Sequence, residues 1–188
     1  MNQSHQPSAI SHQRCALIAF AAIALAPLIT VPGSRFPVPV LQAQETGLPV
    51  GAKAPTSTLV ETLDGKSFDI GQYVGKTPVL IEFWATWCPN CKQLEPAMVD
   101  AAKKYGSKMK FIGVAVSVNQ SPERVKLYAE KHELPLEVYF DKKGSATDAY
   151  DAAATSYVVV MDKTGTVVYT GLGGTQNIEA AVKKGLGG

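Results

Sequence analysis

Cys88 and Cys91 stand three positions apart in "WATWCPNCK", directly after a run of strand-like residues. Cysteines at that spacing serve three chemistries: half of a metal site, a structural staple, or a pair that forms and breaks a disulfide. A zinc site usually brings a second pair of ligands, and the only histidine after residue 43 is His132. Cu(I) bound by the two thiolates alone is the form of the metal reading that survives. A staple across so short a loop adds little stability, because the chain-entropy gain grows with loop length. The remaining reading is redox exchange.

That reading needs one sulfur held as a thiolate, since the thiolate is the nucleophile. Pro89 supplies the means. It lacks an N–H and has a fixed φ, so it suits the first helical position and places Cys88 at the N-cap. There the free N–H groups and the helix dipole favour the charged sulfur. Cys91 lies one turn on, near enough to bond with a slight adjustment of the turn. Cys88 is the expected nucleophile, and Cys91, expected to be the more sheltered, resolves the mixed disulfide.

Alternating elements position this pair. "STLVETLDGKSFDI" reads as a hairpin around Asp64-Gly65, and "IGQYVGK" as a helical turn. "TPVLIEFWA" is a continuous apolar strand of the kind buried on both faces. A helix from about Pro89 to Tyr105 repeats Leu94, Ala97, Met98, Ala101, Ala102 and Tyr105 on one face. "KMKFIGVAVSV" is a strand, and "SPERVKLYAEKH" a helix with Ser121 as cap. "LEVYFD", "SATDAYDAA", "SYVVVMD", "GTVVYTG" and "NIEAAVKKGL" follow as strand, short helix, two strands and helix. Strands alternating with helices give an α/β sandwich with a mixed central sheet.

"FWATWCPNCK" resembles the active-site signature of the thioredoxin superfamily, and its surroundings resemble the exported TlpA/ResA-type members over roughly Val50–Gly188. The resemblance implies a thioredoxin-like three-layer sandwich with an N-terminal β-hairpin and an inserted strand–helix segment at Val118–Ala153. It implies a thiol–disulfide oxidoreductase without cofactor, acting on disulfide-containing protein clients and supplied by a membrane thiol–disulfide electron donor. Glu82, six residues before Cys88, matches the buried acid that exchanges a proton with the second cysteine. Independently, a carboxyl in an apolar strand is desolvated, which raises its pKa toward neutrality. Pro96 matches the proline that kinks the long helix. Trp87 is placed at the docking surface and Trp84 in the core.

The pattern breaks at "ATSYVVVMD", where the family carries a cis-proline and this chain has Ser156. A cis bond before serine costs about 2.5–4 kcal/mol, against roughly 0.5–1 before proline. A reshaped loop at Thr155–Ser156 is therefore expected, with altered capture of a client strand. Pro89-Asn90 is a further signal: an Asn90 amide directed at the Cys88 sulfur would stabilise the reduced form and shift polarity toward a DsbA-like oxidase. Membership of the TlpA/ResA group implies the reductase direction. The client-binding candidates are thus Trp87, Pro89, Asn90, Thr155 and Ser156, and no metal ligand set is assigned.

Residues 1–43 form a separate unit: a polar start with Arg14, then the apolar run "CALIAFAAIALAPLITV", then a Pro-rich stretch ending in small residues near Ala43. These are the parts of a secretory signal. Cleavage near Ala43 leaves a soluble exported domain, residues 44–188; retention makes residues 15–31 a membrane anchor. Without the leader's two arginines the domain has 16 basic and 16 acidic residues. With no basic stripe, nucleic acid is excluded as a partner.

Overall fold

A computed structural model describes residues 47–188. The expected leader, with Cys15 and the cleavage region, lies outside the described residues.

Seven strands form one sheet: β1 Leu59–Thr62, β2 Ser67–Asp69, β3 Val79–Trp84, β4 Lys110–Val116, β5 Glu137–Asp141, β6 Tyr157–Met161 and β7 Val167–Leu172, in the order β2-β1-β5-β4-β3-β6-β7. Four helices accompany it: α1 Pro89–Tyr105, α2 Pro122–Lys131, α3 Ser145–Ala149 and α4 Ile178–Gly185, with a 3-10 turn at Ile70–Tyr73. The β3–β4 and β4–β5 pairs are parallel, whereas β3–β6, β6–β7, β1–β5 and β1–β2 are antiparallel. The sheet is mixed, as the alternation of elements implied. The hairpin around Asp64-Gly65 forms the far edge, and the inserted segment places β5 between β1 and β4.

β3 explains why its sequence is almost wholly apolar. Every residue in it is buried. Val79, Ile81 and Phe83 enter a cluster with Ile70 and with Ala146 and Tyr150 from the α3 side. On the opposite face Leu80 packs with Leu94 and Met98 of α1 and Val182 of α4, and Trp84 packs with Val125 of α2. Helical layers on both faces remove water from both, so side-chain alternation in β3 selects a layer and not solvent. Glu82 belongs to the α1 face, between Leu80 and Trp84.

α1 starts where Pro89 requires: Cys88 is its N-cap with extended backbone, and Pro89 is the first helical residue. Pro96 lies inside the helix, so the Lys92 carbonyl loses its usual donor. β3 and α1 are joined by Ala85–Trp87, and the segment after β4 holds this junction. The Thr86 N–H donates to Gln120 Oε1 at 2.9 Å, and Gln120 Nε2 donates to the Val116 carbonyl at 2.6 Å. The Trp87 indole N–H donates to the Val118 carbonyl at 2.7 Å. Sheet, helix and pinned junction together fix where Cys88 stands.

Candidate active site

Cys88 and Cys91 are joined in a disulfide, with Cα atoms 5.3 Å apart. The Cys91 backbone N–H donates to Cys88 Sγ at 3.1 Å, so one orphan donor of the first turn already points at the sulfur. When the bond opens, the same donor and the helix dipole stabilise a thiolate there. Asn90 is exposed, and among the described residues the bond to this sulfur comes from the Cys91 backbone and not from the Asn90 amide.

One expectation is corrected. Cys91 was expected to be the more sheltered of the two, yet the exposures of Cys88 and Cys91 are 3% and 5%. Both pack into the cluster of Trp84, Ala115, Val125 and Phe140, which covers the helix N-terminus as closely as its first turn. Burial does not rank the two sulfurs; position at the helix end does.

Glu82 is buried, and its Oε1 has no hydrogen-bond partner. Desolvation first, and the charge of Glu95 second, raise its pKa to about 8. It lines a small cavity of about 10 Å³ with Trp84, Cys91, Glu95 and Tyr128. Trp84 Nε1, also without a partner, is a second polar wall. Gly113, opposite Glu82 in the β3–β4 ladder, leaves room for this arrangement, because a Cβ there would come within 2.9 Å of Trp84 Nε1. The carboxyl that the sequence placed in a strand therefore shares a closed space with the second cysteine.

The other candidates divide. Trp87 is 38% exposed, and with Thr155 it borders a groove of about 400 Å³ walled by Val116, Val118 and Ala152–Ala154. Asp141, the groove's carboxylate, is taken up by the Ala146 and Thr147 N–H groups and the Thr147 hydroxyl, at 3.2, 2.8 and 2.7 Å. That leaves an apolar lining. Pro89 and Asn90 are exposed at the helix start.

Ser156, which follows Thr155, lies fully buried with φ of +65°. Its N–H donates to the Phe83 carbonyl at 2.7 Å, its Oγ accepts from the Gly173 N–H at 3.1 Å, and its carbonyl accepts from Gln176 Nε2 at 2.9 Å. Proline has neither the N–H nor access to that φ. The loop is reshaped, and serine is one of the residues able to build it.

Sequence reasoning passed over Gln120, Glu95, Tyr128 and His132. Each acts through a partner at least 30 residues away, so no local spacing marks it.

The model of the family described as Redoxin matches residues 49–185. The chain belongs to the Redoxin family. This redoxin is 33% identical over 125 residues to the thioredoxin-like protein YneN of Bacillus subtilis, covering 66% of this chain and 72% of that one. It is 29% identical over 126 residues to the thiol-disulfide oxidoreductase ResA of Bacillus cereus, covering 67% and 71%. The thiol:disulfide interchange protein of the thioredoxin family from Chlorobium tepidum superposes with a TM-score of 0.59 at 26% identity, over 73% of this chain and 96% of that one. The redoxin is thus a thioredoxin-superfamily, ResA-like thiol–disulfide oxidoreductase, with the Cys88–Cys91 disulfide formed in the structure. Among its described residues no group of three or more His, Cys, Asp or Glu side chains gathers as metal ligands, and no helix is long and apolar enough to cross a membrane.

Proposed function

We propose that this redoxin is an exported reductase of particular protein disulfides. Cys88 is the nucleophile, Cys91 the resolving thiol and Glu82 the proton acceptor and donor for Cys91. The carrying observation is the closed cavity shared by Cys91 and a carboxyl whose proton affinity is raised into the neutral range.

The Cys88 thiolate attacks one sulfur of the client disulfide. The client S–S bond breaks, and the departing client thiolate takes a proton from solvent. The Cys91 thiol gives its proton to Glu82, and its sulfur attacks Cys88 in the mixed disulfide. The Cys88–client bond breaks as Cys88–Cys91 forms, and the second client thiolate leaves. The redoxin loses two electrons and the client gains them. A membrane thiol–disulfide electron donor then restores the dithiol.

The apolar groove beside Trp87 and Thr155 suits an extended client segment, with Pro89 and Asn90 at its approach to Cys88 and Ser156 shaping its floor. The leader sequence supports export, with the domain either released after Ala43 or anchored by residues 15–31. The reductase direction is supported by likeness to ResA-type relatives.

Equilibration of the Cys88–Cys91 pair with defined thiol–disulfide buffers tests the direction. A midpoint near the thioredoxin value of about −270 mV is expected, and one near the DsbA value of about −120 mV refutes it.

A further inference from the structure

Beside the disulfide, three side chains have no part in the exchange steps: Glu95 of α1, and Tyr128 and His132 from α2 and its C-terminal cap. The Tyr128 hydroxyl donates to Glu95 Oε2 at 2.7 Å, and His132 Nδ1 lies 2.7 Å from Glu95 Oε1. An ionised carboxylate only accepts, so the histidine nitrogen is the donor. The tyrosine and histidine rings stack with centroids 3.9 Å apart and planes at 13°, which braces the two donors as one unit. Two partners, one on each oxygen, fix the Glu95 carboxyl in place.

The same Glu95 is a wall of the cavity that contains Glu82 and Cys91. Two carboxyls facing one closed space are costly to ionise together, and the one lacking hydrogen bonds keeps its proton. That one is Glu82, whose Oε1 is orphaned.

We propose that Glu95, clamped by Tyr128 and His132, is a positioning residue that keeps Glu82 protonated while the disulfide is closed, storing beside Cys91 the proton it needs when the disulfide opens. The proposal rests on the reading that Glu82 serves Cys91. In the reductive step a donor thiolate attacks Cys88. The Cys88–Cys91 bond breaks with its electron pair on Cys91, and the Cys91 thiolate takes the proton from the Glu82 carboxyl, leaving a carboxylate. That carboxylate is ready to accept the proton again when Cys91 next attacks.

The surroundings agree with this division of charge. From α1 the ionisable groups facing Glu82 are Cys91 and Glu95, and from α2 Tyr128; the other cavity walls, Trp84, Met98, Val99, Leu134 and Leu136, carry no charge. The Glu95 charge acts on Glu82 in the same direction as burial. Outside the clamp Lys92, Arg124 and Lys131 border a groove together with Tyr128 and His132.

The test uses the oxidised full-length protein, in which neither cysteine of the pair titrates, and follows the infrared band of the protonated Glu82 carboxyl with pH, assigned by its loss in Glu82→Gln. Glu95→Gln keeps size and shape but removes the charge, and is expected to lower the Glu82 midpoint by about half a unit or more. His132→Asn frees one Glu95 oxygen from the clamp and is expected to move the midpoint in the same direction. The Glu95→Gln/His132→Asn double variant is expected to match Glu95→Gln alone, since the charge on which His132 acts is gone.

A midpoint unmoved by Glu95→Gln, or raised by His132→Asn, overturns the proposal. Should Glu95→Gln fail to fold, His132→Asn decides: a downward shift supports the clamp, and no shift or an upward one rejects it. A wild-type midpoint near the ordinary carboxylate value of 4.5 instead removes the underlying reading of Glu82.

Discussion

Cys88→Ser is expected to reduce client disulfides at least about 1,000-fold more slowly than wild type, because a serine hydroxyl is not ionised at the helix N-cap and supplies no exchangeable sulfur. Cys91→Ser behaves differently. Its Cys88 keeps the N-cap position and the helix dipole, so it still attacks, but nothing resolves the product. Covalent client adducts are expected to accumulate on Cys91→Ser and to be released by added thiol, as seen on non-reducing gels. The asymmetry separates the two roles even though the cysteines are almost equally buried, at 3% and 5%. Equal adduct formation by both variants contradicts the assignment.

Glu82→Gln carries the second large effect, on stability as well as rate. Burial holds the folded-state pKa of Glu82 at about 8, above its ordinary value of 4.5. The native protein therefore binds this proton more tightly than the unfolded chain does. The corresponding stability is complete below 4.5 and is lost as pH rises through about 8, at about 1.4 kcal/mol per pH unit between the two values and nothing further above them. Wild type is expected to lose a few kcal/mol across this window for the sake of one buried carboxyl.

Glutamine never ionises. Urea titrations of Glu82→Gln at the two ends of the window should lack that loss, so the variant is the more stable protein on the alkaline side. Its turnover should fall by about 100-fold or more, since a positioned acid–base group contributes roughly 10²–10⁴. Parallel stability profiles for the two proteins contradict the burial of an ionisable carboxyl at this place.

Much of this site is written in adjacent residues. The apolar run of β3, Pro89 at the first helical position and the cysteine spacing are local signals, and local backbone rules placed Cys88 at the N-cap as observed. The hairpin at Asp64-Gly65 and the Ser121 cap of α2 were legible for the same reason. Glu82 could be found because a lone carboxyl among apolar strand residues is conspicuous.

What stayed hidden depends on tertiary contacts. The covering of Cys88 comes from Val125 of α2 and Phe140 of β5, far along the chain. The clamp on Glu95 joins α1 to α2, and the junction before Cys88 is held by Gln120. Ser156 shows the limit most plainly. The missing proline indicated a reshaped loop, but the positive φ and the bond to the Phe83 carbonyl follow from how β6 docks on β3, which no dipeptide encodes.

The most direct test is the titration of Cys88 in the reduced Cys91→Ser variant, read from ultraviolet thiolate absorbance. A helix N-cap sulfur is expected to ionise below neutrality, within the range of about 3.5–7.5 seen for such cysteines. A midpoint at or above about 8.5, the value of an unperturbed thiol, would contradict nucleophilic attack by Cys88.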